Sequence, residues 1–205
     1  MTHNGASRIL GKFVSLPGIT YVLTRFGGTG LRDYAMSQNY VSGRWQFQNG
    51  NMVPDMVALV EKHAKQGAIL EMGCGTGRLA GALRPDAYTR YVGIDVSEEG
   101  LKQARERQIP RATFVQGDIE AFSTEETFDL IVFEETLYYV NPLKRRRVLR
   151  RYAQMLRPQG VLLITIHDPR RFRGTVKMIE DECDVLEHGS FPDSERCFHV
   201  CRRGP

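Results

Sequence analysis

The chain has 205 residues, of which 41% are apolar and 25% charged, with a formal net charge of +4. That length supports one domain with an appendage, and the composition excludes collagen, coiled coil and wholesale disorder. The charge surplus is too small to point to nucleic acid or a membrane surface, and no apolar run reaches the ~18 residues of a bilayer span. The first 50 residues hold seven aromatics, Phe13, Tyr21, Phe26, Tyr34, Tyr40, Trp45 and Phe47, and the glycines Gly27, Gly28 and Gly30. They lack a clean period, which predicts a short N-terminal helical cap with loops over 1–50. From residue 52 the pattern is regular. Val53, Met56, Val57, Val60 and Ala64 recur at helical spacing, with Pro54 suited to the first turn and Gly67 to the stop.

Apolar runs then alternate with helices. Ala68–Met72, Tyr91–Val96, Ala112–Gln116, Phe128–Phe133 and Val161–Ile166 read as strands. Ser97 can cap a helix whose first turn holds Glu98 and Glu99. Asn141 and Pro142 open another, with Val148, Leu149, Tyr152, Met155 and Leu156 on its apolar face. Near-continuous apolar strands separated by helices are parallel strands covered on both faces. Asp184–Leu186 and Arg196–Cys201 read as two strands without a helix between them. The fold expected is α/β, a Rossmann-like doubly wound sheet, mostly parallel, with an antiparallel C-terminal hairpin at one edge. The 51–205 portion would be the ligand-binding domain and 1–50 its cap or lid.

The most informative stretch is Ile69-Leu70-Glu71-Met72-Gly73-Cys74-Gly75-Thr76-Gly77-Arg78-Leu79-Ala80, a strand running through three alternating glycines into a helix. Glycine permits positive φ and close approach of a ligand to the backbone. In open α/β sheets ligands bind beyond the carboxyl ends of the strands, so this loop belongs to a site. Gly75, Gly77 and Ala80 satisfy the dinucleotide pattern G-x-G-x-x-A, with Asp95 placed as a ribose acid. A nicotinamide reading is therefore open. Glu71 at the strand end and the lack of a hydride-transfer site argue against it; a Tyr-x-x-x-Lys pair fails because positions 142 and 143 are Pro and Leu.

The same segment resembles the first motif of the class I S-adenosylmethionine-dependent methyltransferases, an acidic-x-Gly-x-Gly-x-Gly core. Val92-Gly93-Ile94-Asp95-Val96-Ser97, Phe114-Val115-Gln116-Gly117-Asp118-Ile119, Phe128-Asp129-Leu130-Ile131-Val132-Phe133 and Leu156-Arg157-Pro158-Gln159-Gly160-Val161-Leu162 are similar to the following motifs of that family, in order and register. Gln159 stands where the last motif has a second glycine. The resemblance implies S-adenosyl-L-methionine as cofactor and S-adenosyl-L-homocysteine as product. Its cofactor-binding residues would be Glu71, Gly73, Cys74, Gly75, Gly77, Asp95, Val96, Asp118, Ile119 and Glu134. Glu71 would face the methionine ammonium, Asp95 the ribose hydroxyls, Asp118 the adenine amino group and the Ile119 N–H a ring nitrogen. Val96 and Ile119 would sandwich the purine.

Methyl transfer from an activated sulfonium asks the protein for positioning, and for a base where the acceptor must lose a proton. Glu134-Glu135-Thr136-Leu137-Tyr138-Tyr139 follows the fourth strand, and His167 the fifth, so both lie at the active end. Tyr138, His167 and Glu135 are the catalytic candidates. Tyr34, Tyr40, Trp45 and Tyr139 are candidates for the acceptor wall or lid, where aromatic rings can meet a sulfonium. A short patch, Leu137-Tyr138-Tyr139, is faintly similar to the nodulation-type sugar N-methyltransferases. The expected activity is methylation of an N or O nucleophile on a small-molecule acceptor. A protein or RNA methyltransferase is the alternative, weakened because Phe133-Glu134-Glu135-Thr136 stands where an Asn/Asp-Pro-Pro-Tyr/Phe motif would. A non-catalytic cofactor-binding subunit is a third reading, opposed by the intact motifs.

The remaining features read as structural. Lys144, Arg145, Arg146, Arg147, Arg150 and Arg151 crowd the polar side of one amphipathic helix, a solvated face rather than a nucleic-acid patch. Arg170, Arg171 and Arg173 lie nearer the active end, toward an anionic acceptor. Cys197, His199 and Cys201 alternate along a strand with Cys183 before them, a spacing that does not suit zinc, so no metal is expected. The cysteines form no CxxC pair, which suggests a reducing, cytoplasmic setting. The apolar stretch 10–24 carries Lys12 and Pro17 with no cleavage pattern after it, so it is not read as a signal peptide. A monomer or homodimer is expected.

Overall fold

The computed structural model describes residues 22–23, 25–42, 54–192 and 194–204. Its elements are α1 (Thr29–Val41), α2 (Pro54–Ala64), β1 (Ala68–Met72), α3 (Arg78–Ala82), β2 (Arg90–Asp95), α4 (Glu98–Glu106), β3 (Ala112–Gln116), β4 (Phe128–Phe133), α5 (Arg145–Gln154), β5 (Leu156–Ile166), α6 (Arg173–Glu182), β6 (Cys183–Ser190) and β7 (Cys197–Arg203). The described strands form one sheet in the order β3-β2-β1-β4-β5-β7-β6. β1 to β5 are parallel, and β7 is antiparallel to both β5 and β6. Strand order reverses between β1 and β4, and the cleft at such a reversal is where ligands bind in this architecture.

Alternate side chains along each central strand feed two cores. Leu70, Met72, Ile131, Phe133, Leu162 and Ile164 meet Val148, Leu149 and Tyr152 of α5 on one face. Ile69, Leu130, Val132 and Leu163 meet Met56 and Val60 of α2 and Leu101 of α4 on the other. Every residue of β1 is buried, which is why its sequence shows a run rather than an alternation. The outer strand β6 alternates between half-buried and exposed residues, as a sheet edge does.

Ser97 caps α4 as expected, accepting from the Gly100 N–H at 3.3 Å. Several boundaries differ from the sequence pattern: β2 is Arg90–Asp95, β6 runs on to Ser190 and β7 to Arg203, and β5 and α5 shift for local reasons. β5 begins at Leu156 rather than Val161, with a register shift against β4 that lets the exposed Arg157, Pro158 and Gln159 and the buried Gly160 continue the strand. α5 starts at Arg145, because the Asn141 side chain accepts from the Leu143 N–H and its carbonyl from the Lys144 N–H, closing a turn first.

The basic helix is also only partly a solvated face. Arg145 is buried and donates to the Tyr138 and Val140 carbonyls and the Thr175 hydroxyl. Arg151 donates to the Ile119 and Glu120 carbonyls. Arg146 and Arg150 stay at the surface, paired with Glu182. Cys197 and Cys201 are buried and Cys183 packs against the same core, matching the structural reading of the thiols. Among the described residues no His, Cys, Asp and Glu side chains form a metal-binding group, and no helix is long and apolar enough to cross a membrane.

Candidate functional site

A cavity of about 600 Å3 opens at the carboxyl ends of the parallel strands. That volume lies within the roughly 300–1,000 Å3 typical of small-ligand pockets. One wall is the glycine loop. Gly73, Gly75 and Gly77 have φ of 78°, 51° and 69°, a region where a side chain is strained. The Gly73 and Cys74 N–H groups both donate to the Ile94 carbonyl, tying the loop to the end of β2. At Gly73 a Cβ would collide with the Thr136 methyl, and the Thr136 hydroxyl donates to the Met72 carbonyl at 2.7 Å. The loop after β4 is thereby fastened to the loop after β1. Gly73 and Cys74 line the cavity, while Gly75 and Gly77 turn the chain behind them. The Cys74 thiol is pushed well up by burial, so it is an inert packing group.

Asp95 ends β2 and lines the cavity at 9% exposure. One carboxylate oxygen accepts from the Gly75 N–H and the other from the Ser97 N–H, each at 2.8 Å. Each oxygen keeps a second acceptor site, the acceptor set that the two donating hydroxyls of a ribose diol need. Val96 and Ile119 line the same cavity. Asp118 does too, but its carboxylate is already engaged. Arg32 of α1 reaches both oxygens, at 2.9 and 3.0 Å, Thr29 donates to one and the Glu120 N–H to the other. These four hydrogen bonds, two of them from one Arg32 nitrogen, fill the roughly four acceptor sites of a carboxylate, so an adenine amino group must compete with Arg32 for Asp118.

Glu71 does not line the cavity. It lies just behind the wall at 1% exposure, accepting a short hydrogen bond from Tyr91. Burial, followed by the charge of Glu134, pushes its carboxyl up to about 8, so it is protonated at neutral pH. Glu134 lines the cavity, accepts from Arg78 at 3.2 Å and has Arg196 at 3.8 Å; its carboxyl is raised too, chiefly by burial.

The three catalytic candidates come together on the opposite wall. The Tyr138 hydroxyl donates to Glu135 Oε2 at 3.1 Å and lies 3.0 Å from His167 Nδ1, which is 3.4 Å from the same Glu135 oxygen. A phenol has one proton to give. With it on Glu135, His167 must donate through Nδ1–H, which leaves the lone pair on Nε2. Burial and the Glu135 charge raise the Tyr138 phenol far above its ordinary range, so Tyr138 orients the network and is not itself the base. Its ring stacks on Phe172 at 4.3 Å. Glu135 sits at φ 55° with its N–H on the Thr165 hydroxyl, and its Oε1 is buried with no hydrogen-bond partner among the described residues.

Of the lid candidates, Tyr40 and Tyr139 line the cavity, Tyr34 does not, and Trp45 lies outside the described residues. Arg32 and Met36 of α1, together with Arg78, Thr136 and Arg196, line it as well. Sequence reasoning missed these five. Arg78 and Thr136 sit within motifs already singled out, but nothing local marks Arg32, Met36 or Arg196.

A family model described as "Methyltransferase domain" matches residues 69–160. Carboxy-S-adenosyl-L-methionine synthase from Chromohalobacter salexigens is 30% identical over 178 residues, 73% of this chain and 65% of that protein. Nodulation protein S from Rhizobium tropici is 37% identical over 97 residues, 46% of this chain and 40% of that protein. A solved TehB-like S-adenosylmethionine-dependent methyltransferase from Corynebacterium glutamicum superposes with a TM-score of 0.67 at 25% identity, covering 83% of this chain and 99% of the other. The chain spans about half to two-thirds of the length of the carboxy-S-adenosyl-L-methionine synthases it matches. Sheet topology, the glycine loop and the carboxylate at the end of β2 define a Rossmann-like fold with a ligand cavity at its strand ends. The chain is similar to the class I S-adenosylmethionine-dependent methyltransferases in fold and over the matched segment, which supports S-adenosyl-L-methionine as its cofactor.

Proposed function

We propose that the protein transfers the methyl group of S-adenosyl-L-methionine to a nitrogen or oxygen of a small-molecule acceptor. The observation that carries this is the Glu135–Tyr138–His167 network, which opens onto the same cavity as Asp95. When bound, the cofactor supplies an electrophilic methyl group. Asp95 holds the ribose hydroxyls through its two remaining acceptor sites, and Val96 and Ile119 pack the purine. Glu134 places its carboxyl near the amino-acid end, where a cationic ligand favours ionisation of a carboxyl raised by burial, and neutral Glu71 stands behind it. The orphaned Glu135 Oε1 accepts from the N–H or O–H of the acceptor. His167 Nε2 takes the departing proton, and the Glu135 carboxylate, 3.4 Å from the ring, stabilises the resulting imidazolium while Tyr138 holds the two in place.

α1 lies over the cavity with Arg32, Met36 and Tyr40 on its wall, which supports residues 1–50 as cap and lid over a 51–205 cofactor domain. We take the protein to be a cytoplasmic monomer or homodimer.

The test is to incubate purified protein with S-adenosyl-L-methionine and a panel of small amines and phenols, then follow S-adenosyl-L-homocysteine and product masses. The expected result is a product heavier by one methyl group, formed far more slowly by His167→Ala. A product heavier by a carboxymethyl group, or modification of the cofactor itself without an acceptor, would replace methyl transfer with another chemistry.

A further inference from the structure

Arg196 directly precedes β7, and pairing of Cys197 with Ile166 sets it beside His167. Its position is fixed from several sides. Its guanidinium lies 5.2 Å from the centroid of the Phe191 ring, which is buried against Phe198. Its backbone N–H donates to Ser194, and its carbonyl accepts from the Phe191 N–H. The guanidinium therefore stands at a defined place on the cavity wall, with its side chain 18% exposed.

The partners of that guanidinium are incomplete. Glu134 is its acidic neighbour among the described residues, at 3.8 Å, which is beyond hydrogen-bond length. The same Glu134 oxygen already accepts from Arg78 at 3.2 Å. One carboxylate thus faces two guanidinium groups, and Glu71 behind it is neutral at pH 7 because burial raises its carboxyl. No hydrogen bond joins the Arg196 guanidinium to a described residue. A mostly buried arginine whose fork lines the cavity with its donors unspent suits a planar anion there.

We propose that Arg196 binds a carboxylate of the acceptor, so that the substrate class is a small molecule bearing both a carboxylate and the nucleophile that is methylated. This rests on the methyl-transfer reading above. Position favours the acceptor as the source of the anion. Arg196 lies beyond β4 and β5 next to His167, whereas Asp95 and Asp118 mark the nucleoside end at β2 and β3. Charge favours a carboxylate over a phosphate, because Glu134 at 3.8 Å repels a dianion more strongly than a monoanion. The amino-acid carboxylate of the cofactor has the same chemistry, so the experiment must separate the two sources.

Protein saturated with S-adenosyl-L-homocysteine is titrated calorimetrically with anthranilate and β-alanine, with their amides, and with inorganic phosphate. The expected result is binding of the acids about tenfold or more tighter than the amides, as charged hydrogen bonds warrant. Arg196→Gln should abolish that preference, and Arg196→Lys should keep part of it by retaining charge without the fork. Equal binding of acid and amide, a preference unchanged in Arg196→Gln, no carboxylate binding at millimolar concentrations, or preference for phosphate each overturn the proposal. A second titration settles the source. If Arg196→Gln weakens S-adenosyl-L-homocysteine about tenfold but leaves 5′-methylthioadenosine unchanged, Arg196 reads the cofactor and the proposal falls. If wild-type protein binds no S-adenosyl-L-homocysteine, the methyl-transfer reading itself has failed and takes this proposal with it.

Discussion

On the β1–β2 side of the cavity, the ligand-facing groups are held by neighbours in sequence or by backbone. Asp95 accepts from the Gly75 and Ser97 N–H groups, and the glycine loop hangs on the Ile94 carbonyl. On the β4–β5–β7 side, side chains from separate segments hold one another. Tyr138, His167 and Glu135 come from two strand ends, and Arg196 comes from a third. The first wall is a rigid seat for a constant ligand. The second is a set of side chains on loops, where specificity can differ between proteins with one fold.

The largest effect separates the two walls directly. His167→Ala or Glu135→Gln should lower kcat by about 10²-fold or more, the range for losing a general base or its support. S-adenosyl-L-homocysteine affinity, measured by calorimetry, should stay within about twofold of wild type. Equal losses in kcat and cofactor affinity would mean that the second wall also seats the cofactor.

Next in size is a titration behind the first wall. The folded protein holds the Glu71 carboxyl near 8, above its ordinary 4.5, so the folded state retains a proton that the unfolded chain releases. The stability this group contributes is complete below pH 4.5 and is lost as pH rises through about 8. Glu71→Gln keeps a neutral acceptor for Tyr91 and removes the titration. Chemical denaturation at pH 5 and pH 8 should show wild type losing roughly 3–4 kcal/mol relative to the variant. Parallel pH dependences would place the titrating proton elsewhere.

Asp95→Ala tests the seat itself. It removes the proposed ribose acceptor and leaves the Gly75 and Ser97 N–H groups without their carboxylate. Cofactor affinity should fall by about 2 kcal/mol, roughly thirtyfold, with a smaller drop in melting temperature from the loosened loop. An unchanged calorimetric affinity would show that the ribose lies elsewhere.

The contrast between the walls also explains what could be read from the chain. Gly73, Asp95 and Ser97 announce themselves because a tight turn, a strand end and a helix cap impose residue types at fixed local spacings. The alternating apolar runs gave strands and helices for the same reason. Glu135, Tyr138 and His167 were legible as strand-end residues, but their mutual hydrogen bonds depend on how β4 and β5 pair. Arg196 carries no local sign at all. Its role follows from the antiparallel register of β7, which no short pattern encodes. The buried Arg145 was hidden by its company, since a run of arginines on one helix looks uniformly solvated until the Tyr138 and Val140 carbonyls are seen beneath it.

α1 belongs to neither wall, and Arg32 is its pin. The buried Arg32–Asp118 pair invites the expectation of a large loss on mutation, about 3–5 kcal/mol when one partner of a buried pair is removed. That penalty applies only if Asp118 stays buried. α1 can lift and let water reach the carboxylate, so the cost is capped by the docking energy of one helix. Arg32→Gln should therefore shift the melting temperature by less than about 3 °C, on the scale of 2–4 °C per kcal/mol for a chain of this size. Amide exchange in residues 29–41 should accelerate while β1 and β4 keep their protection. A drop beyond about 10 °C, with exchange rising across the sheet, would instead make α1 part of the cooperative core and not a cover over the cavity.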